Sequence, residues 1–350
     1  MQLRRFLPFV AAITAVAGHR EPNRPEPFSD VVIFDPPRNY TIPRTLYARN
    51  EQLPNGDILA TWENYSPEPP AVYFPIYRSS DHGKTWKEIS RVHDTANGLG
   101  LRYQPFLYYL PERVGRFRAG TLLLAGSSIP TDLSSTQIDL YASQDEGRTW
   151  KFLSHIAAGG EALPNNGLTP VWEPFLLAQD NATYGQKLSH QVTHDLINWG
   201  PAVNDLPNGK YFYIYEYGSF FNTSDYSFPL YYRISADPEG FINAEHHKLV
   251  VSSGTVPTSS PYVTWTQWGG RNGTIVVSSG TQDAIFVNQA LGEGEWTEVP
   301  TPEPHSYTRN LRILREDPRF VLLHGAGVLL GEENKVTVSL LNLEEALGAL

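Results

Sequence analysis

Two carboxylates occupy positions that ordinary packing does not explain. Glu173 stands in Trp172-Glu173-Pro174-Phe175-Leu176, which matches Tyr103-Gln104-Pro105-Phe106-Leu107 earlier in the chain, so a carboxylate replaces an amide in a repeated strand. Glu216 closes the run Tyr211-Phe212-Tyr213-Ile214-Tyr215, and a charge in so apolar a strand is costly unless it is paired or used. Used carboxylates of this kind move protons or attack as nucleophiles. Each has a structural alternative: Glu173 as a surface carboxylate ahead of a proline, Glu216 as the partner of an arginine such as Arg233.

Around them the sequence offers further polar and aromatic groups. Arg44, Arg102 and Arg309, with Tyr307 close to the last, come from different repeats and are expected near the mouth of a shared channel. There they would hold a substrate carboxylate, or orient catalytic acids and sugar hydroxyls. Trp62, Trp172, Tyr217, Trp265 and Trp268 present faces on which sugar rings stack. Other chemistries find little support: His246-His247 lacks the spaced partners of a metal site, and there is no phosphate-cradling glycine loop and no Gly-x-Ser-x-Gly elbow. No metal and no cofactor is expected.

The elements that must position these groups are legible as repeats. Ser-x-Asp-x-Gly-x-Thr-Trp occurs intact at Ser79–Trp86 and Ser143–Trp150, with weaker echoes at Thr193–Trp199 and Asn288–Trp296. Asp and Gly close a hairpin turn, Thr bonds the loop backbone, and Trp packs beneath. A second unit, a turn followed by an apolar strand, begins at Pro54, Ala119, Pro207, Asn272 and Asp317. Together they predict an all-β chain built as a six-bladed propeller, with blades near 40–92, 102–156, 168–203, 205–251, 260–299 and 305–341. The spacing shortens blades three and four. Closure of the ring is expected from pairing of Val31–Phe34 with Val336–Leu341, and only the tail from Asn342 reads as helical.

Composition sets the surroundings. A formal charge of −10 without basic clusters argues against nucleic acid and favours a neutral polymer. Arg4 and Arg5 precede an apolar run from Phe6 that ends in Ala15-Val16-Ala17, the pattern of a signal peptide over residues 1–17. That run is too short to span a bilayer, so a secreted, extracellular, unanchored chain is expected, with residues 18–350 forming one catalytic domain and a monomer. With no cysteine, stability must come from packing. Asn-x-Ser/Thr sequons at Asn39, Asn64, Asn181, Asn222 and Asn272 suit a glycoprotein.

The Asp-box turns, with Tyr-Gln-Pro-Phe at 103–106, Trp-Glu-Pro-Phe at 172–175, Tyr-Glu-Tyr-Gly at 215–218 and His-Ser-Tyr-x-Arg at 305–309, resemble the fungal exo-α-1,5-L-arabinanases, sialidase-like six-bladed propellers. The resemblance implies a retaining hydrolase that releases arabinobiose from the end of linear arabinan of the plant cell wall. It implies Glu173 as acid/base, Glu216 as nucleophile and Tyr307 near the sugar. The chain departs from the family between Leu177 and Leu206, where members carry extra strand residues and an acidic Tyr-Ser-Asp-type segment. Two other readings stand beside it: a sialidase, which asks for an arginine triad, and a catalytically impaired propeller that binds polysaccharide.

Overall fold

The computed structural model describes residues 24–163, 170–174, 176, 210–218, 227–236 and 240–348. Strand β1 (Phe28–Phe34) comes first, and four consecutive strands follow as one sheet: β2 (Thr45–Gln52), β3 (Ile58–Asn64), β4 (Phe74–Ser79) and β5 (Lys87–Val92). The next holds β6 (Leu101–Tyr109), β7 (Leu122–Ser128), β8 (Thr136–Ser143) and β9 (Lys151–Gly159). Then come a three-stranded sheet of β10 (Tyr211–Glu216), β11 (Leu230–Ser235) and β12 (His247–Lys248), and a four-stranded one of β13 (Tyr262–Thr266), β14 (Thr274–Ser278), β15 (Ile285–Asn288) and β16 (Thr297–Val299). Strands β17 (Asn310–Ile313), β18 (Phe320–Gly325) and β19 (Val336–Asn342) form the last sheet, followed by helix α1 (Leu343–Gly348).

All pairs are antiparallel neighbours in sequence except one: β1 pairs with β19, Val31 opposite Val338 and Phe34 opposite Val336. The first strand of the chain therefore completes its last sheet, as the sequence predicts, and hides the edge that β19 would otherwise expose. Four of the turn-plus-strand units supply the second strand of their sheets, β3, β7, β14 and β18, and the unit at Pro207 supplies β10, the first described strand of its sheet.

Adjacent sheets share apolar cores. Trp62 and Ile58 of the first pack with Leu322 and Val338 of the last, Phe74 of the first with Leu124 of the second, and Val321 of the last with Val276 of the sheet before it. At Gly126 the approach is so close that a Cβ would lie 2.3 Å from the Phe74 ring. This is a β-propeller, with five sheets among the described residues. Most of the expected third blade (168–203), the shortened stretch 177–206 and any strand just ahead of β10 lie outside the described residues.

The Asp-box turns fold as their composition dictates. In the first, Asp81 accepts from the Thr85 N–H (2.9 Å) and hydroxyl (2.7 Å), Ser79 accepts from the Gly83 N–H (2.9 Å), and the Trp86 indole donates to the Gly83 carbonyl (2.8 Å). The second repeats this around Asp145. In the echo at Asn288 the asparagine accepts from the Gly292 N–H at 2.7 Å, and Trp296 is buried. The sequon at Asn64 is closed to a glycan in the folded chain, because Asn64 is buried in β3.

Candidate active site

Among the described residues, the inner strands β2, β6, β13 and β17 are each preceded or interrupted by a non-glycine residue with left-handed backbone, Tyr47 (φ 55°), Gln104 (57°), Ser260 (35°) and Thr308 (53°), and Glu173 (54°) shares that conformation. At Tyr47 and Gln104 the ladder slips by a bulge at the same place. Such bulges break the alternation of side chains along a strand and re-aim one of them. The correspondence of Gln104 with Glu173 seen in the sequence is thus a correspondence of backbone conformation.

These stations converge on the axis. The Arg49 guanidinium lies 3.9 Å above the Tyr47 ring and 5.1 Å from that of Tyr262, and donates to the Thr308 carbonyl (3.0 Å) and hydroxyl (3.2 Å), so one side chain of the first blade touches two others. Its Nε has no hydrogen-bond partner among the described residues. Tyr47 is among the groups that lower the Glu173 pKa, and the Tyr47 and Tyr307 rings lie 6.3 Å apart.

Glu173 and Glu216 are both solvent-accessible, and both carry charge that bears on Tyr307, as does Glu63. Burial among neighbouring atoms raises the Glu173 pKa, Arg49 opposes that rise, and the negative charge of Glu216 adds to it. A raised pKa is what an acid/base needs if it is to hold a proton for a leaving group. The alternative partner for Glu216 is engaged elsewhere: Arg233 donates to the Tyr215 hydroxyl and, at 2.6 Å, to the Phe241 carbonyl. The Glu216 carboxylate accepts the N–H of Ser260 at 2.6 Å.

The expected binding residues divide. Tyr307 joins the carboxylates; Trp172 stands beside Tyr103, their rings 6.3 Å apart, and Tyr103 continues to Tyr65 at 6.2 Å, an aromatic row from the first blade to the Glu173 segment. Tyr217 is 53% exposed and meets Tyr231 edge-on. Arg102 is bound to Glu68 at 2.8 Å, and its Nη2 has no partner among the described residues; Arg44 reaches Glu333 at 3.6 Å. Arg309 does not join them. It is fully buried and donates to the carbonyls of Glu303, Ala284 and Asp283 at 2.7–2.8 Å, because the left-handed turn at Thr308 sends it into the blade while Tyr307 remains at the mouth. Trp62 is likewise core, stacked at 5.4 Å on Phe34. Trp268 packs against the core shared by the last two sheets, and the Trp265 indole donates to the Asn272 carbonyl.

Residues missed in the sequence are Tyr47, Arg49, Tyr65 and Glu63. For Glu63 a signal existed: it stands seven residues after Gly56, as Glu216 stands seven after Gly209. Burial lifts its pKa to about 7 against the Tyr65 hydroxyl, the Gln104 N–H and Arg49, with Glu173 adding to the rise. The described residues include no group of three or more His, Cys, Asp or Glu that could hold a metal ion, and no helix long and apolar enough to cross a membrane.

Stability should follow from these acids. Burial holds Glu63 and Glu303 near pKa 7 instead of 4.5, so the folded chain keeps two protons that the unfolded chain sheds, and stability present below about pH 4.5 is lost as pH rises to about 7. His324 opposes them: burial lowers it from 6.5 to about 3, so it contributes stability above about pH 6.5 that is lost as pH falls. Two groups outweigh one. The thermal midpoint is expected to fall between about pH 5 and pH 7.5, and Glu303→Gln should flatten that fall; a midpoint that rises over the interval would contradict it.

No protein-family model and no curated protein matches the chain. Among solved structures, a Penicillium chrysogenum α-L-arabinanase complexed with arabinobiose is 67% identical, covers 92% of this chain and 100% of its own, and superposes with a TM-score of 0.86. A GH93 α-L-arabinofuranosidase of Fusarium graminearum, also complexed with arabinobiose, is 49% identical over 92% of this chain and 99% of its own, TM-score 0.85. A Streptococcus pneumoniae sialidase at 10% identity covers 91% of this chain and 71% of its own, TM-score 0.55, and speaks for the fold alone. With that identity over nearly its whole length, the chain belongs to the GH93 family of fungal α-L-arabinanases and α-L-arabinofuranosidases.

Proposed function

We propose that this protein is an exo-α-1,5-L-arabinanase that releases arabinobiose from the end of linear arabinan with retention of configuration. One observation carries the reading: Glu173 and Glu216, from separate segments, both act electrostatically on Tyr307, and the negative charge of Glu216 helps raise the pKa of Glu173. Protonated, Glu173 donates to the leaving glycosidic oxygen as Glu216 attacks the anomeric carbon; ionised by that transfer, it then takes a proton from the water that hydrolyses the glycosyl-enzyme. Arg49, stacked on Tyr47, opposes the rise in the Glu173 pKa, and the row Tyr65–Tyr103–Trp172 gives sugar rings a face to lie on.

The same reading takes the chain as secreted after loss of residues 1–17, with 18–350 a monomeric domain of six blades. Its support for the sixth is that Glu173 repeats the left-handed station found at the inner strands β2, β6, β13 and β17. The sialidase alternative gains nothing, since Arg309 is spent on carbonyls and Arg44 and Arg102 reach carboxylates.

The test is chromatography of products from purified protein and linear α-1,5-arabinan. Arabinobiose as the sole early product, absent with Glu216→Gln, is the expected result; no release by the folded wild-type protein would leave a polysaccharide-binding propeller.

A further inference from the structure

A third carboxyl lies behind the pair. Glu63 is only 3% exposed, and both its oxygens are engaged: one accepts the N–H of Gln104 at 2.8 Å, the other the Tyr65 hydroxyl at 2.7 Å. The side-chain oxygen of Gln104 accepts in turn the N–H of Glu173 at 2.9 Å. Both N–H groups belong to residues in left-handed backbone, a conformation that a non-glycine residue keeps only when its surroundings hold it there. Glu216 makes the equivalent clasp on Ser260, also left-handed, so a carboxylate holding the left-handed station of the next sheet recurs in this molecule. At Glu63 the clasp is extended by one step and ends on the backbone of the acid.

Glu63 faces Tyr65 just past its own strand, Arg49 and Tyr47 on β2, Gln104 and Tyr103 on β6, then Glu173 and Tyr307. It is too enclosed to meet substrate, and the hydrogen-bonded path from it to Glu173 runs through Gln104.

We propose that Glu63 and Gln104 form a positioning relay for the acid/base, in which the Glu63 carboxyl fixes the Gln104 bulge and the Gln104 amide fixes that of Glu173. The relay rests on the arabinanase reading, so wild-type release of arabinobiose is measured first; its absence would sink that reading, and the relay is judged only on an active enzyme. Without the Gln104 oxygen the Glu173 carboxyl leaves its place under the leaving oxygen, and misplacement on the order of 1 Å costs roughly 100-fold in rate.

The variants are Gln104→Ala, Gln104→Glu, Glu63→Gln, Glu63→Leu and the pair Glu63→Leu/Gln104→Ala. Gln104→Ala is expected to lower kcat between about 10- and 100-fold with KM within about twofold and the unfolding midpoint little changed. Gln104→Glu keeps an acceptor for the Glu173 N–H, so it restores most of kcat. Its added negative charge makes Glu173 harder to ionise, moving the basic limb of the kcat profile to higher pH. Glu63→Gln keeps the acceptor and kcat. Because the two steps are in series, the double variant is no slower than the slower single one. Gln104→Ala with kcat within twofold of wild type, or a loss that Gln104→Glu does not restore, overturns the relay; should Glu63→Leu not fold, the two Gln104 variants decide alone.

Discussion

Glu216→Ala is expected to lose about 10⁴-fold or more in arabinobiose release, and azide is expected to restore part of it on an aryl α-arabinobioside. In this variant the acid remains, so azide attacks the anomeric carbon directly from the side the carboxylate has left, and the glycosyl azide has inverted configuration. Glu173→Ala behaves otherwise. An aryl leaving group of low pKa departs without an acid, Glu216 still forms the glycosyl-enzyme, and azide opens that intermediate by a second displacement to give retained configuration. NMR of the two azides therefore assigns both roles. Exchange of the two stereochemical outcomes would reverse the assignment, and a Glu216→Ala enzyme within tenfold of wild type would remove Glu216 from the chemistry. The expectation rests on the difference between the pair: the Glu173 pKa is raised by desolvation and by the charge of Glu216, while the Glu216 carboxylate is oriented by the Ser260 N–H.

The propeller itself was legible because its signals are local. An Asp-box needs eight consecutive residues, and each turn with the strand that follows it needs about a dozen; both give the same fold wherever they occur. Glu173 and Glu216 stand out as candidates for the same reason, each by comparison with a sibling repeat. What failed was reading across the axis. Strand β2, Thr45–Gln52, carries Arg49, Asn50, Glu51 and Gln52 yet is buried throughout. Nothing local predicts that, because the groups that bury Arg49 lie in blades more than two hundred residues away. The bulges failed for a second reason. Tyr307 and Arg309 are two residues apart and in a regular strand would share a face, but the left-handed turn at Thr308 between them reverses it. A one-residue irregularity is invisible in a pattern of residue types, and it decided whether an arginine belongs to the mouth or to the core.

Arg309 gives the second large effect, on stability and not on turnover. Arg309→Met is expected to cost about 3–5 kcal/mol of unfolding free energy, read from the urea midpoint and slope, while KM for arabinan oligosaccharides stays within about twofold. The methionine fills the volume but leaves the carbonyls of Glu303, Ala284 and Asp283 without their buried donor. It also removes the positive charge that opposes burial at the Glu303 carboxyl, whose remaining partners are the hydroxyls of Thr337 (2.5 Å) and Ser339 (2.6 Å). With a pKa near 7 in the intact protein, Glu303 binds its proton more tightly still once Arg309 is gone, so the variant keeps a buried proton that the unfolded chain gives up. The deficit is therefore larger at about pH 8, where Glu303 must ionise uncompensated or hold its proton against the solution, than at about pH 5, where it is neutral in either protein. A variant of unchanged midpoint with KM raised tenfold would return Arg309 to the substrate; a deficit equal at both pH values would separate the arginine from Glu303 and leave the carbonyls as its whole role.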